Sequence, residues 1–234
     1  MASKIYELEP LGKVTVIKRQ SNRHLRITIA SSGHIRVSIP TWAPYQAGLD
    51  FALSKQAWIV DKLPPTNLLN DGQAIGRAHR LVFKADAMIT KPRTRINGNQ
   101  IIVYYPSTMN FHEPAIQSAA NQAAIKALRA QAINLLPQRL KSLAESHGLS
   151  YSSVQIKQLT RRWGSCDQNQ RIVFNLFLIQ MPWELIDYVI LHELAHTRHM
   201  NHGPEFWKMM TELSPDAKAL KKQLTKYHPG IISI

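Results

Sequence analysis

His192-Glu193-Leu194-Ala195-His196, followed six residues later by His202, is the stretch that most constrains the fold of this chain. Positions four apart on an α-helix lie on one face, about 6 Å apart, so His192 and His196 can reach the same metal ion. Glu193 projects to the flank of that face, where its carboxylate can take a proton from a metal-bound water without occupying the metal. The spacing therefore predicts a metal-binding helix with Glu193 as general base.

The third metal ligand depends on how the chain continues past the second histidine. A catalytic zinc has three protein ligands and keeps one open position. Gly203-Pro204 marks a break directly after His202, and this turn favours His202 as the third ligand. The alternatives are His199, if the helix continues, and a downstream glutamate, Glu205 or Glu212. Zn²⁺ is the predicted ion, and imidazole ligands also accept nickel, cobalt or manganese.

The residues before the motif have the pattern of a helix with one buried face. Pro182-Trp183-Glu184 is typical of a helix start. Apolar side chains then recur at helical spacing at Leu185, Ile186, Val189 and Ile190. The motif is therefore expected on a helix that packs against a core.

The chain as a whole predicts an α+β protein of two lobes. Residues 1–108 contain several runs of alternating polar and apolar residues, two of which, 25–29 and 35–39, pair as a hairpin, so this lobe is predicted to be mainly β. Residues 109–234 are predicted to form a helical lobe with a small strand pair and the metal helix. Its long first helix begins at Pro114 and is expected to kink or split at Pro137.

The charge of the chain is strongly positive and unevenly distributed. The formal net charge is +14, and residues 1–110 hold 15 Lys and Arg against 6 Asp and Glu, a net +9. A basic N-terminal lobe is expected to attract phosphate or carboxylate groups, including those of nucleic acid.

No apolar run of about 18 residues predicts a membrane span. The absence of a secretory signal at the start and the single cysteine, Cys166, favour a cytoplasmic location.

A second segment, Arg161-Arg162-Trp163-Gly164-Ser165-Cys166, lies between two predicted strands just before the metal helix. This position indicates that it borders the cleft, and its glycine allows backbone to approach a ligand. Arg161 and Arg162 are predicted to bind a substrate carboxylate or phosphate or to stabilise oxyanion charge, the alternative being a solvated pair. An extended substrate is expected to pair with an edge strand within residues 171–178.

Together these motifs resemble those of the YgjP-like metallopeptidase family. Its members combine RWGSC, an Asn-Leu pair, an IDYV run, HELxH and an NHxxxFW segment, which this chain has in order at residues 162–166, 175–176, 186–189, 192–196 and 201–207. The resemblance implies a zincin-type fold in which His192, His196 and His202 bind the metal and Glu193 is the catalytic carboxylate. The family is also similar to the SprT-like proteases, which act on proteins attached to DNA, in having a third-ligand histidine beside a glycine.

Three functions are compatible with these residues. A metallopeptidase would bind the scissile carbonyl at the metal while Glu193 activates water. A nucleotide phosphoanhydride hydrolase, that is a nucleoside triphosphate pyrophosphatase, would use Arg161 and Arg162 to balance phosphate charge. A nucleic-acid-associated protein would use the metal only structurally, although structural zinc normally has four protein ligands. Imidazoles suit zinc, whereas phosphoanhydride enzymes usually use magnesium held by carboxylates, so hydrolysis of a peptide or protein is the primary prediction.

Overall fold

The structure is a computed structural model that describes residues 3–9, 11–29, 33–62 and 68–232. It is a mixed α+β protein, which confirms the predicted fold class. Its contacts divide the chain into two compact units, Met1–Asn67 and Leu68–Ile234. Within the described ranges, no helix is both long enough and apolar enough to cross a membrane.

In its described residues, the first unit contains a four-stranded sheet and two helices. The sheet has the order β1-β2-β4-β3, in which β2 and β4 are parallel and the predicted hairpin, β3 with β4, is antiparallel. Apolar residues that alternate along β2 and β4, such as Val16 and Val37, are fully buried with Ala52 of the first helix. The elements are β1 Ser3–Leu8, β2 Gly12–Arg19, β3 Arg26–Ile29, β4 Ile35–Pro40, α1 Tyr45–Ser54 and α2 Gln56–Lys62.

The second unit contains two sheets, four helices and a 3₁₀ helix. One sheet has the strand order β5-β6-β8-β7 and the other has the order β10-β11-β9. The elements are β5 Ala74–Ile75, β6 His79–Asp86, β7 Arg93–Asn97, β8 Gln100–Pro106, α3 Pro114–Ser146, β9 Ser153–Lys157, β10 Gly164–Cys166, β11 Arg171–Asn175, the 3₁₀ helix Leu176–Gln180, α4 Trp183–Ala195, α5 Pro204–Leu213 and α6 Ala217–Leu224.

The boundary between the two units, after Asn67, lies far upstream of residue 108, where the sequence suggested that one lobe ends and the next begins. Strands β5 to β8 belong to the second unit because their apolar side chains share a core with α3. Leu81, Ile101 and Val103 are completely buried in the same cluster as Leu128 of α3. Strand-forming sequence therefore continues into the unit that carries α4, the helix with His192 and His196.

Helix α3 is the central element of the second unit. It begins at Pro114, where the missing N–H is not needed, and it runs without a split through Pro137 to Ser146. Its buried face is rich in alanine, which lets neighbouring elements approach closely. Arg139 of α3 donates two hydrogen bonds, of 2.7 and 2.6 Å, to the carboxylate of Asp187, and this bidentate pair aligns α4 on α3.

Candidate active site

The metal motif lies at the C-terminal end of α4. This helix begins at Trp183 with Pro182 as its N-cap, as predicted, and His196 is its C-cap. The chain then turns, and α5 starts at Pro204 with Gly203 as N-cap. The turn between the two helices brings His202 back beside the last turn of α4.

Three imidazole rings converge at this point. One ring nitrogen from each of His192, His196 and His202 lies within 4.8 Å of the others. Nε2 of His192 and Nε2 of His202 are 3.1 Å apart. The ring of Phe206 packs on all three imidazoles, with centroid distances of 4.6 to 5.0 Å, so the cluster rests on an apolar wall.

The hydrogen bond of His196 determines which of its two ring nitrogens is unprotonated and can bind a metal. Nδ1 of His196 is 3.0 Å from the carbonyl oxygen of His199, which can only accept, so Nδ1 carries the proton. Nε2 of His196 is then unprotonated and can bind a metal, and such a second contact is usual for ligating histidines. His199 contributes its backbone here, and its half-buried side chain does not join the cluster.

The donor set fits a zinc ion. For zinc–nitrogen distances of about 2.0–2.1 Å, the nitrogens of a tetrahedral site are ~3.3 Å apart, close to the 3.1 Å between His192 and His202. Burial, followed by the charges of His196, His202 and Lys221, lowers the pKa of His192 to about 3. Burial also lowers the pKa of His196. Both rings are therefore neutral near pH 7, the form that binds a metal.

Glu193 stands beside this cluster as a buried carboxylate. The residue is 5% exposed, and its Oε2 has no hydrogen-bond partner among the described residues. Burial raises the pKa of Glu193 to about 8, and the positive charge of Arg162 opposes this rise. A carboxylate held in this way has an unusually strong tendency to accept a proton, which is the property required of a general base.

Gly164 of β10 faces the carboxylate of Glu193. A Cβ at this position would lie 2.6 Å from Oε1 of Glu193, inside any permitted contact. The sequence predicted that this glycine allows a close approach to a ligand. The close neighbour in the structure is the side chain of Glu193.

Strand β10 lies at the edge of its sheet. The amide of Asn175 donates to the carbonyl of Trp163 and the amide of Asp167 donates to the carbonyl of Arg171, at 2.8 and 3.1 Å. In an antiparallel ladder the hydrogen-bonded positions alternate, so the backbone groups of residues 164 and 166 point away from β11. Within the described part of the chain, these groups form an open edge next to Glu193.

The predicted edge strand within residues 171–178 is wrong in one respect. Strand β11 pairs with β10 on one side and with β9 on the other, so it has no free edge. The 3₁₀ helix then occupies residues Leu176–Gln180. The exposed edge belongs to β10, which the sequence indicated only as a loop, because three residues give too little alternation to identify a strand.

Arg161 and Arg162 line a cavity of about 340 Å³ together with Lys157, Ser165 and Val173. Ser165 and Gly164 are neighbours on one strand, and neighbouring residues point to opposite faces of a sheet. The cavity with the two arginines therefore lies on the face opposite Glu193. The structure brings His192, Glu193, His196 and His202 together. It places Arg161 and Arg162 on the other face of β10. From there the positive charge of Arg162 opposes, in part, the rise in the pKa of Glu193 that burial causes.

Asn175 holds the segment that precedes β10, a role that the sequence did not reveal. Its side chain is fully buried, and Nδ2 donates to the carbonyls of Leu159 and Arg162 at 2.8 and 2.9 Å. Its Oδ1 accepts from the amide of Phe177 at 3.2 Å. The amide thus ties the segment before β10 to the end of β11. The Asn175-Leu176 pair was visible as a motif. The residues that the Asn175 side chain binds could not be identified, because they are distant in the sequence.

The single thiol is not part of the imidazole cluster. Cys166 shares the face of Gly164, is half-buried and forms no disulfide. Burial, followed by the charges of Glu193 and Asp167, raises its pKa to about 11, so the group remains a thiol near pH 7. The ligand atoms that lie within 4.8 Å of one another belong to His192, His196 and His202, and Cys166 is not among them.

A second cavity, of about 460 Å³, opens beside Glu193 and His192. Its far side comes from α6 and the segment that follows it, including Leu224 and Tyr227. Sequence spacing gave no signal for these residues, because they lie about 30 residues beyond the motif and are brought near it only by the packing of α6 on α4.

Three comparisons relate the chain to known proteins, and the family comparison agrees with the motif. No curated protein matches the chain. Among solved structures, the metallopeptidase zymogens of Pyrococcus abyssi abylysin and Methanocaldococcus jannaschii jannalysin are similar, with 20% and 19% sequence identity and TM-scores of 0.37 and 0.35. The matches cover 42% and 39% of this chain and 100% and 94% of those chains. The family described as YgjP-like, metallopeptidase domain, matches residues 23–227, and the chain belongs to this family.

Proposed function

We propose that this protein is a zinc-dependent peptidase in which His192, His196 and His202 hold the metal and Glu193 is the catalytic carboxylate. Family membership supports a metal-dependent peptidase in general. The observation that carries the specific proposal is the convergence of three imidazole nitrogens within 4.8 Å beside a buried carboxylate oxygen that has no hydrogen-bond partner in the described part of the chain. Three nitrogen donors leave one position of a tetrahedral ion for water or substrate, as catalytic sites require.

Zinc, when bound, polarises a carbonyl oxygen and lowers the pKa of water. Glu193 then has two tasks in succession. It accepts the proton of the attacking water and afterwards gives that proton to the nitrogen of the leaving amine. The buried environment suits both tasks, because a carboxylate with a raised pKa takes up a proton readily and retains it until the amine departs.

The open edge of β10 supports a peptide as substrate. An extended peptide can add to an exposed edge strand through backbone hydrogen bonds, which do not depend on its sequence. The backbone groups of Gly164 and Cys166 supply this edge directly beside Glu193. A peptide paired there would run past the catalytic carboxylate, and the tight fit of Gly164 would keep that carboxylate in place.

The phosphoanhydride alternative receives less support. It required Arg161 and Arg162 to balance phosphate charge at the metal, yet both line the cavity on the opposite face of the sheet. The cavity beside Glu193 is lined in part by α6, and the charged residue that α6 contributes is Lys221. One cation is weak compensation for a triphosphate.

The test is hydrolysis by zinc-loaded protein of a peptide library and, separately, of nucleoside triphosphates. We expect peptide cleavage that a chelator abolishes. Glu193→Gln should keep one zinc per chain and lower kcat by about 10²–10⁴-fold. The matched control is Glu205→Gln, an exposed carboxylate in the first turn of α5, which should retain wild-type turnover. Cleavage of triphosphates with no cleavage of any peptide would refute the proposal.

A further inference from the structure

The cavity of about 460 Å³ beside Glu193 has the size of a small-ligand site, for which about 300–1,000 Å³ is usual. His192 and Glu193 form part of its lining, so anything bound in it touches the catalytic machinery. Gly164 also lines it, so the cavity lies on the side of β10 that faces Glu193. A substrate held along β10 would therefore have this space next to the bond to be cleaved.

The walls of the cavity are mainly aromatic and aliphatic. Tyr188 and Val189 of α4 form one side, Leu224 and Tyr227 form another, and Trp163 contributes from the segment before β10. Burial, followed by the charge of Glu193, raises the pKa of Tyr188, so its hydroxyl stays neutral near pH 7. Such walls stabilise an apolar group through the removal of its surface from water.

The wall that follows α6 is fixed in place by one side chain. Gln180, in the 3₁₀ helix, donates from Nε2 to the carbonyl of Gly230 at 2.8 Å. Its Oε1 accepts from the amide of Ile232 at 3.1 Å. These two bonds hold the segment just after Tyr227, so the cavity has a defined wall rather than a loose end of chain.

Besides Glu193, which the binding test below replaces with Gln, the charged side chain that lines the cavity is Lys221. Its Nζ lies 4.4 Å from the centroid of the Trp207 ring, which holds the ammonium group by a cation–π contact. Within the described residues, Lys221 forms no ion pair with a carboxylate. This uncompensated positive charge would repel a lysine or arginine side chain that entered the cavity.

We propose that this cavity is the side-chain subsite of the enzyme: it binds a large apolar or aromatic side chain of the residue adjoining the scissile bond and disfavours basic side chains. The proposal rests on the peptidase function proposed above and specifies its substrate class. The cavity, its apolar walls and the single cation together define the selectivity. Small side chains would leave most of the space unfilled and would gain little from it.

The test measures binding without turnover. Zinc-loaded Glu193→Gln protein is titrated with fluorescent peptides that differ at one position, which carries Phe, Leu, Gly, Asp or Lys. We expect the Phe and Leu peptides to bind about 10–100-fold more tightly than the Gly peptide, and the Lys peptide to bind least well. Equal affinity across the panel, or tightest binding of the Lys peptide, would overturn the proposal.

A pair of variants locates the effect within the cavity. Thr225→Trp, in the Glu193→Gln background, should fill the space and abolish the preference for Phe and Leu, because Thr225 lines it. The matched control is Gln223→Trp, an exposed position of α6 outside the lining, which should keep the preference. Thermal unfolding checks that both proteins are folded.

Lys221→Glu should in turn raise the affinity of the Lys peptide, whereas an unchanged order of affinities would contradict the role of this charge.

The outcome is separable from that of the proposed function. If wild-type protein cleaves peptides but the panel shows no preference, the subsite is wrong and the peptidase proposal stands. If wild-type protein cleaves no peptide at all, the peptidase proposal is wrong and the subsite as defined here fails with it.

Discussion

The α-carbon of Gly164 approaches the carboxylate of Glu193 so closely that a Cβ would lie 2.6 Å from Oε1 and 2.8 Å from Cγ. The backbone of Gly164 does not have a positive φ, so an alanine is tolerated by the chain itself. The clash would fall on the flexible end of Glu193. The space for a glycine here is therefore set by the neighbouring carboxylate and not by the backbone conformation of residue 164.

Gly164→Ala should displace the carboxylate of Glu193 while leaving the metal ligands in place. We expect kcat for peptide cleavage to fall by about 100-fold, as for a misplacement of roughly 1 Å, with zinc content unchanged. Gly230→Ala is the matched control, because no atom of the described residues lies within 4 Å of a Cβ there. Wild-type kcat in Gly164→Ala would show that the contact does not position Glu193.

His202→Ala and His199→Ala separate the two candidates for the third ligand. Loss of the His202 ring should lower zinc affinity by more than the ~10–100-fold that is typical for loss of an outer-sphere partner. His199→Ala should leave zinc affinity almost unchanged, because the contact to His196 uses the backbone carbonyl of residue 199. Competition with a chromophoric chelator measures both values. A larger loss in His199→Ala than in His202→Ala would reverse the assignment.

Asn175→Ala should destabilise the second unit. The substitution leaves the carbonyls of Leu159 and Arg162 without this donor, and we expect the free energy of unfolding to fall by about 1–3 kcal/mol. Urea denaturation of the metal-free protein measures the change. Asn169→Ala is the control, since Asn169 is exposed, and it should leave the urea midpoint within error. Equal midpoints for the two variants would show that the buried amide contributes little.

His79 should make the stability of the protein depend on pH. The side chain of Gln131 accepts from the amide of Arg77 through Oε1, so its Nε2 donates to Nδ1 of His79 at 2.8 Å. Nδ1 must therefore be unprotonated, in agreement with the lowered pKa that burial gives His79. The folded state binds fewer protons than the unfolded state, so stability is complete above pH ~6.5 and declines as pH falls below it.

The measurement compares urea midpoints at pH 7.5 and pH 5.5 for metal-free wild-type protein and His79→Asn. Asparagine can place an oxygen acceptor near the position of Nδ1 and does not titrate. The variant should lose less stability between the two pH values than the wild type. The metal-site histidines titrate in both proteins, so their contribution cancels in the difference. Identical losses would exclude His79 as a source of the pH dependence.

Short-range sequence patterns were sufficient to predict those helices and strands whose position depends only on nearby residues. The spacing of His192 and His196, the start of α3 at Pro114 and the start of α4 at Trp183 all depend on neighbours within one or two turns. The pairing of β3 with β4 followed from alternating apolar residues. In each case helix geometry or strand alternation is fixed by the chain itself.

Features that depend on distant partners were not accessible from the sequence. Strand β10 is recognisable only through its ladder with β11, and Arg161 and Arg162 are placed by the cavity that they share with Ser165 and Val173 on one face of that ladder. The cavity beside Glu193 requires α6 to pack on α4, and no spacing rule connects Lys221 to His192. Long-range packing of this kind has no local periodicity.

X-ray absorption at the zinc edge of the metal-loaded protein tests the central claim most directly. We expect three imidazole nitrogens at about 2.0–2.1 Å and one light atom from solvent, with loss of one imidazole shell in His202→Ala. A sulfur scatterer at about 2.3 Å, which would identify Cys166 as a ligand, or a site with fewer than three imidazoles, would contradict the account.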